Sequence, residues 1–303
     1  MRRIFALGET VLDILFRDDK PVSATPGGSM LNVAVSLGRL GLPVYLISEQ
    51  AEDSTAAFIS RFLQNSSVSQ QFIHKIKGKT PIALAFLDSQ NNAVYSFYHD
   101  NLPLKESTPA SLPDIQQTDL LLFGSFYALK PQNRHIINHC TGNSKTGKPF
   151  VIYDPNFRTA HSNSLQEVFS VICQNIASAD IVRASDEDLF NIFHETDTLK
   201  LAEIIAELGC KQLIITRNKQ GVDIINPTLQ KHYPVPEIKT MSTIGAGDAF
   251  NAGLAYALFT LNPQFHKIIP DEKFWDKAIN IAINLSSAVC CSYENYIPFG
   301  HKL

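Results

Sequence analysis

Short apolar runs rich in β-branched and aromatic residues alternate along the chain with segments whose apolar positions recur every three or four residues. Ile4–Leu7, Val44–Ile47, Leu120–Phe123, Phe150–Tyr153, Ile181–Val182 and Leu213–Thr216 read as buried strands. Ser29–Leu40, Thr55–Leu63, Leu165–Ala177 and Leu199–Leu208 carry the helical period. That alternation predicts an α/β fold in three layers, with a mostly parallel sheet between helices. Val11–Phe16, Ile82–Leu87 and Ala93–Tyr98 break it, the last two joined across Ser89-Gln90-Asn91-Asn92 as a hairpin. They predict a small antiparallel sheet, a discontinuous lid built from about 11–27 and 80–100 on a body that spans 1–303 as one domain. Towards the end Ala278, Ile281, Ala282, Leu285, Ala288 and Val289 mark one buried helix face.

Composition narrows the possible partners. With 303 residues, 45% of them apolar, the chain can bury a sizeable core. Lys and Arg number 26 against 29 for Asp and Glu, a net charge of −3, which argues against nucleic acid and anionic membrane surfaces. Five scattered cysteines without a CxxC pair suit reduced thiols in a cytoplasmic protein. The apolar run after Arg2-Arg3 is broken at Gly8, Glu9 and Asp13, unlike a secretory signal. Asn251, Asn262 and Pro263 likewise interrupt the uncharged stretch from Ala249 to His266.

The segment Ser242-Thr-Ile-Gly-Ala-Gly-Asp-Ala-Phe250, followed by the helical pattern Asn251–Phe259, carries the clearest chemistry. Gly245, Ala246 and Gly247 let a bound group approach the backbone, and their amides at a helix start form an anion hole. Asp248 would sit beside that hole, where a carboxylate can accept a proton from a hydroxyl nucleophile. A turn and helix cap alone would use the same Gly247-Asp248 pair.

Gly245-Ala-Gly-Asp-Ala-Phe250 resembles the hallmark of the ribokinase/PfkB-type sugar kinases, and the stretch from Pro26 to Gly41 is similar to the family's N-terminal signature. The resemblance runs from the first strand to about Pro298 and implies a ribokinase-like α/β/α sandwich, ATP and magnesium as cofactors, and a homodimer paired through the lids. By the same resemblance Asp13, Gly27, Gly28 and Asn32 would contact sugar hydroxyls; glycines admit a ring closely and Asp13 and Asn32 suit a polyol. Asp154-Pro-Asn-Phe-Arg158 lies at a strand's carboxyl end and looks like the fructokinase element in which Asn156 and Arg158 face the nucleotide phosphates. Asn284 falls where fructokinase-like members place an Asn near adenine; capping its helix face is the plainer role.

Three positions depart from the family pattern. Ser242 stands where many members have an Asp that helps hold a monovalent cation. The element that organises magnesium-bound water reads Ser185-Asp-Glu-Asp188, which leaves Asp188 one methylene short of the usual Glu. The nucleotide loop reads Thr216-Arg-Asn-Lys-Gln-Gly221, where Asn218 replaces a glycine and keeps some access to left-handed backbone. Two decoys fail on context. Gly142–Lys148 nearly spells a Walker A loop but is followed by Pro149 and a strand, and His135 and His139 lack the Glu of a metalloprotease helix.

These readings converge on an ATP-dependent kinase, with Asp248 as base. Gly8-Glu9, Asp-Pro-Asn-x-Arg and the Ser-type magnesium element resemble fructokinases most, so fructose is the expected acceptor. Ribose and 2-keto-3-deoxygluconate stay open as acceptors, as does a weakly catalytic sugar- or nucleotide-binding protein on the same fold.

Overall fold

The computed structural model describes residues 2–87, 93–98, 112–142, 147–157, 165–262 and 271–303. In chain order the strands and helices are β1 (Ile4–Leu7), β2 (Val11–Arg17), β3 (Lys20–Gly27), α1 (Ser29–Arg39), β4 (Val44–Ala51), α2 (Ser54–Asn65), β5 (Ser69–Ile76), β6 (Ile82–Leu87) and β7 (Ala93–Tyr98). There follow β8 (Leu120–Gly124), α3 (Arg134–Thr141), β9 (Phe150–Asp154), α4 (Leu165–Ser178), β10 (Ile181–Ser185), α5 (Asp186–Phe193) and α6 (Thr198–Glu207). The last elements are β11 (Leu213–Thr216), β12 (Val222–Asn226), β13 (Leu229–Tyr233), α7 (Ala246–Leu261) and α8 (Glu272–Cys290).

Alternate side chains of each central strand feed two separate cores. Ile4, Ala6, Leu120, Leu122 and Ile152 pack with α1, α2, α7 and α8 on one face. Phe5, Leu7, Leu121, Phe123 and Tyr153 pack with α3, α4, α5 and α6 on the other. A strand buried on both sides reads as a continuous apolar run, which is why these strands were visible in the sequence. The large sheet runs β13-β12-β11-β10-β9-β8-β1-β4-β5, parallel from β5 to β11, with an antiparallel hairpin, β12–β13, at one edge. Its order reverses between β1 and β8, so the crevice that open α/β sheets use for ligands lies beyond Leu7 and Gly124.

The small sheet has the order β3-β2-β6-β7 and is mixed rather than antiparallel. β2 pairs antiparallel with β3 and β6 with β7, but β2 and β6 run parallel. The reason is chain direction: β2 continues from β1 and β6 from β5, two parallel strands of the large sheet, and Leu12 N–H donates to Pro81 O at 2.9 Å where they enter. The hairpin turn at Ser89–Asn92 lies outside the described residues. Helices α7 and α8 approach closely at Gly253, where a Cβ would come within 2.5 Å of Ala282 Cα.

Helix α5 opens with a capping box. Ser185 Oγ accepts Asp188 N–H at 3.0 Å, while Asp188 Oδ2 accepts Ser185 N–H at 3.0 Å and Oγ–H at 2.6 Å. Burial, and then the Asp154 carboxylate, push the Asp188 carboxyl up from 3.8 to about 6. A carboxyl that binds its proton more tightly when folded stabilises the fold in its protonated form. That contribution is complete below the unfolded value of 3.8 and is lost as pH rises through about 6. Asp188→Asn carries no such proton, so between pH of about 4.5 and about 6.5 the parent chain is expected to lose about 2 kcal/mol more stability than the variant. Urea denaturation at the two pH values measures the difference; parallel pH profiles for the two chains would contradict it.

Candidate active site

Two cavities meet at the turn that starts α7. The larger, about 700 Å³, is lined by Gly245 and Asp248 together with Glu9, Asp13, Asn32 and the β7 side chains Tyr95 and Phe97. The smaller, about 540 Å³, is lined by Ala246 and Gly247 together with Arg183, Thr216, Asn218, Gly221 and the α8 side chains Ile283 and Ser287. Four consecutive residues thus face two compartments. Gly245 has φ +78°, and a Cβ there would lie 2.1 Å from Asn295 O, so the turn accepts only glycine at this point.

On the larger side Asp248 is 8% exposed, in the first turn of α7, where the helix dipole favours a negative charge. Its carboxylate is held from α1: Ser29 Oγ–H donates to Oδ1 at 2.6 Å and Asn32 Nδ2–H to Oδ2 at 2.8 Å. A carboxylate aligned in this way, at the edge of a cavity, is suited to accept a proton from a hydroxyl bound there. Gly28, with φ +115°, brings α1 against the strand end, since a Cβ there would meet Glu9 O at 2.3 Å. Gly27 is needed for a different reason: its absent Cβ would lie 2.0 Å from Asp13 Oδ2, the oxygen that accepts Asn295 Nδ2–H at 2.8 Å. Across the cavity Lys130 Nζ lies 3.1 Å from Glu9 Oε2.

On the smaller side a buried ion pair supports the turn. Arg183, on β10, donates from Nη1 to Asp154 Oδ2 at 2.8 Å and from Nη2 to Thr216 Oγ1 at 2.6 Å, and lies beneath Gly247, whose Cβ would meet Nη1 at 2.8 Å. Asp154 also accepts Asn251 Nδ2–H from α7 at 2.6 Å and the Asn156 N–H at 3.0 Å, so one carboxylate ties β9, β10 and α7 together. Asn218 adopts φ +49°, the left-handed backbone that its amide side chain tolerates, and Gly221 has φ +105° where a Cβ would meet Tyr233 O at 2.4 Å. Burial pushes the Cys290 thiol up to about 11, so it lines this cavity as an unreactive apolar group.

Several residues singled out in the sequence sit elsewhere. Asn156 lines the larger cavity rather than joining Thr216, because the turn on Asp154 and its own φ of +38° redirect the chain. Arg158 lies outside the described residues. Asn284 points away from the smaller cavity; the next helical phase, Ile283, Ser286 and Ser287, faces it, while Asn284 Oδ1 meets the His301 ring at 2.9 Å. Ser185 and Asp188 are absorbed by the α5 capping box and line neither cavity. No group of three His, Cys, Asp or Glu able to hold a metal occurs among the described residues. Magnesium is usually held by one or two carboxylates together with substrate phosphates, and it is treated below as part of the MgATP substrate. Ser242 is buried with Oγ accepting Ile244 N–H at 3.2 Å, and this position supplies no anionic donor for a monovalent cation. His135 and His139 are exposed on α3, as expected of a solvated face.

Sequence reasoning missed Ser29, Arg183 and Asn251. Arg183 had a signal: a guanidinium between Val182 and Ala184 interrupts an apolar strand and has to be paired.

Comparison with known proteins places this geometry in context. A family model described as pfkB family carbohydrate kinase matches residues 1–299. A fructokinase from Rhizobium leguminosarum bv. trifolii is 28% identical over 261 residues, 84% of this chain and 79% of that protein. An aminoimidazole riboside kinase from Salmonella typhimurium is 23% identical over 273 residues, 89% of this chain and 85% of that one. The crystal structure of a fructokinase double mutant from Vibrio cholerae O395, in a fructose-, ADP- and potassium-bound form, superposes with a TM-score of 0.85 at 22% identity, covering 97% of this chain and 94% of that one. That likeness shows the ribokinase-like fold. The match over nearly the whole length establishes that the chain belongs to the pfkB family of carbohydrate kinases, phosphotransferases with an alcohol group as acceptor.

Proposed function

We propose that this kinase transfers the γ-phosphoryl group of ATP to a primary hydroxyl of fructose. The observation that carries the reading is the division of the Gly245–Asp248 turn between two cavities, which allows a hydroxyl on one side to meet a phosphate on the other. In this mechanism the sugar occupies the larger cavity, with Asp13 and Asn32 toward its hydroxyls. Asp248, aligned by Ser29 and Asn32, accepts the proton of the attacking hydroxyl. ATP occupies the smaller cavity with its phosphates at the start of α7. There the Gly247 amide, the helix dipole and the Arg183 guanidinium oppose the charge that builds on the transferred group. Ala246 N–H donates to Thr243 O at 3.2 Å and joins the hole only when that contact opens. Magnesium travels with the nucleotide. The small sheet acts as the lid that excludes water, with Tyr95 and Phe97 on the larger cavity.

Fructose is the first choice because fructokinases recur among the curated relatives. A riboside is the second reading, favoured by the aromatic wall of Tyr95, Phe97 and Phe126, which offers flat faces to a heterocycle. The exposed Val22, Phe86, Val94 and Tyr98 of the small sheet would be covered in a homodimer joined lid to lid. The chain is proposed to work in the cytoplasm.

A coupled assay of ADP release over fructose, ribose, aminoimidazole riboside and 2-keto-3-deoxygluconate is expected to give the highest kcat/KM with fructose. A higher value with any other acceptor would reassign the substrate. Asp248→Asn is expected to lower kcat by roughly three to four orders of magnitude while sugar affinity stays within a few fold. Near-normal turnover in that variant would remove Asp248 from the role of base.

A further inference from the structure

The larger cavity holds a charge pair that the transfer step does not use. Glu9 follows the end of β1, and Lys130 follows the helical turn Phe126–Leu129 after β8. Since β1 and β8 are the neighbours at which the sheet order reverses, the pair spans the crevice between them, with Lys130 Nζ 3.1 Å from Glu9 Oε2. Both side chains keep about a quarter of their surface, 28% for Lys130 and 25% for Glu9, and both line the cavity, so a bound sugar can reach them. Lys130 is the only cation among the described residues lining this cavity, against the carboxylates of Glu9, Asp13 and Asp248. Its ammonium also lies 4.8 Å over the Phe126 ring, which fixes its direction.

We propose that Glu9 sets the class of acceptor by holding Lys130. Paired, the two offer an acceptor and a donor of balanced charge to hydroxyl groups, and the surplus of carboxylates rejects acidic and phosphorylated sugars. Released, Lys130 becomes an anchor for a carboxylate or phosphate at the same place. Relatives named for a neutral and for a phosphorylated sugar both match this chain: besides the fructokinases, an ATP-dependent 6-phosphofructokinase from Thermoanaerobacterium thermosaccharolyticum is 23% identical over 256 residues. The inference rests on the larger cavity being the acceptor site.

The test compares kcat/KM for neutral acceptors (fructose, ribose) and anionic ones (2-keto-3-deoxygluconate, fructose 6-phosphate) at saturating MgATP, in the parent chain, Glu9→Gln, Lys130→Met and the double variant. The ratio of anionic to neutral activity within one preparation does not depend on how much of a variant is folded. The parent is expected to favour a neutral sugar. Glu9→Gln is expected to move the ratio toward the anionic acceptors by about tenfold, chiefly through KM. Added salt should shrink that gain, and Lys130→Met in the same chain should abolish it. An unchanged ratio in Glu9→Gln, or a gain that survives loss of the lysine, overturns the proposal. Preference of the parent for ribose over fructose would remove the fructose reading and leave this one standing; preference for an anionic acceptor would remove both.

Discussion

The carboxylate of Asp248 is not positioned by its own helix. Ser29 and Asn32 reach across from α1 to hold its two oxygens, and α1 is brought to that place by two glycines that tolerate contact with Asp13 and Glu9. The arrangement therefore depends on a close approach of three backbones at the carboxyl edge of the sheet. A side chain at Gly28 would strike the Glu9 carbonyl, and one at Gly245 would strike the Asn295 carbonyl. Both residues also have positive φ, so steric and conformational demands coincide. Small residues here do not loosen the chain. They allow the walls of two cavities to be built from one turn.

Charge is handled by the same economy. The Asp154 carboxylate takes hydrogen bonds from Arg183, Asn251 and the Asn156 amide, which fixes a guanidinium beneath Gly247 without leaving it uncompensated. Breaking one partner of a buried pair of this kind costs far more than the pair itself contributes. On the other side of the turn, Glu9 pairs with Lys130 in the larger cavity, as Asp154 pairs with Arg183 beneath the smaller one. The Arg183 guanidinium is held inside the fold beneath Gly247, and the chain as a whole carries a net charge of −3.

What could be read from the sequence was what is written contiguously. The Gly245–Phe250 run carries the turn, the helix start and the candidate base in six neighbouring residues, and the double-sided burial of the central strands leaves an unbroken apolar signature. Features assembled from distant segments were harder to see. Arg183 is hard to read because a charge within an apolar run resembles the end of a strand, whereas β10 continues to Ser185. Asn284 stands about 100° around the helix from Ile283, which lines the smaller cavity, and no local pattern records which of the two faces it. The parallel pairing of β2 with β6 follows from the direction of β1 and β5, which no local pattern records. Asn156 faces the larger cavity because of a positive φ that its residue type permits but does not dictate.

All of this bears on one claim, that a hydroxyl in the larger cavity attacks a phosphate in the smaller one directly across the Gly245–Asp248 turn. The most direct measurement is the stereochemical course at phosphorus, using ATP made chiral at the γ-phosphate with oxygen isotopes and analysing the sugar phosphate formed. A single in-line displacement inverts the configuration, which is the result expected here. Retention would mean two successive displacements through a phosphorylated enzyme, and would contradict transfer across the turn.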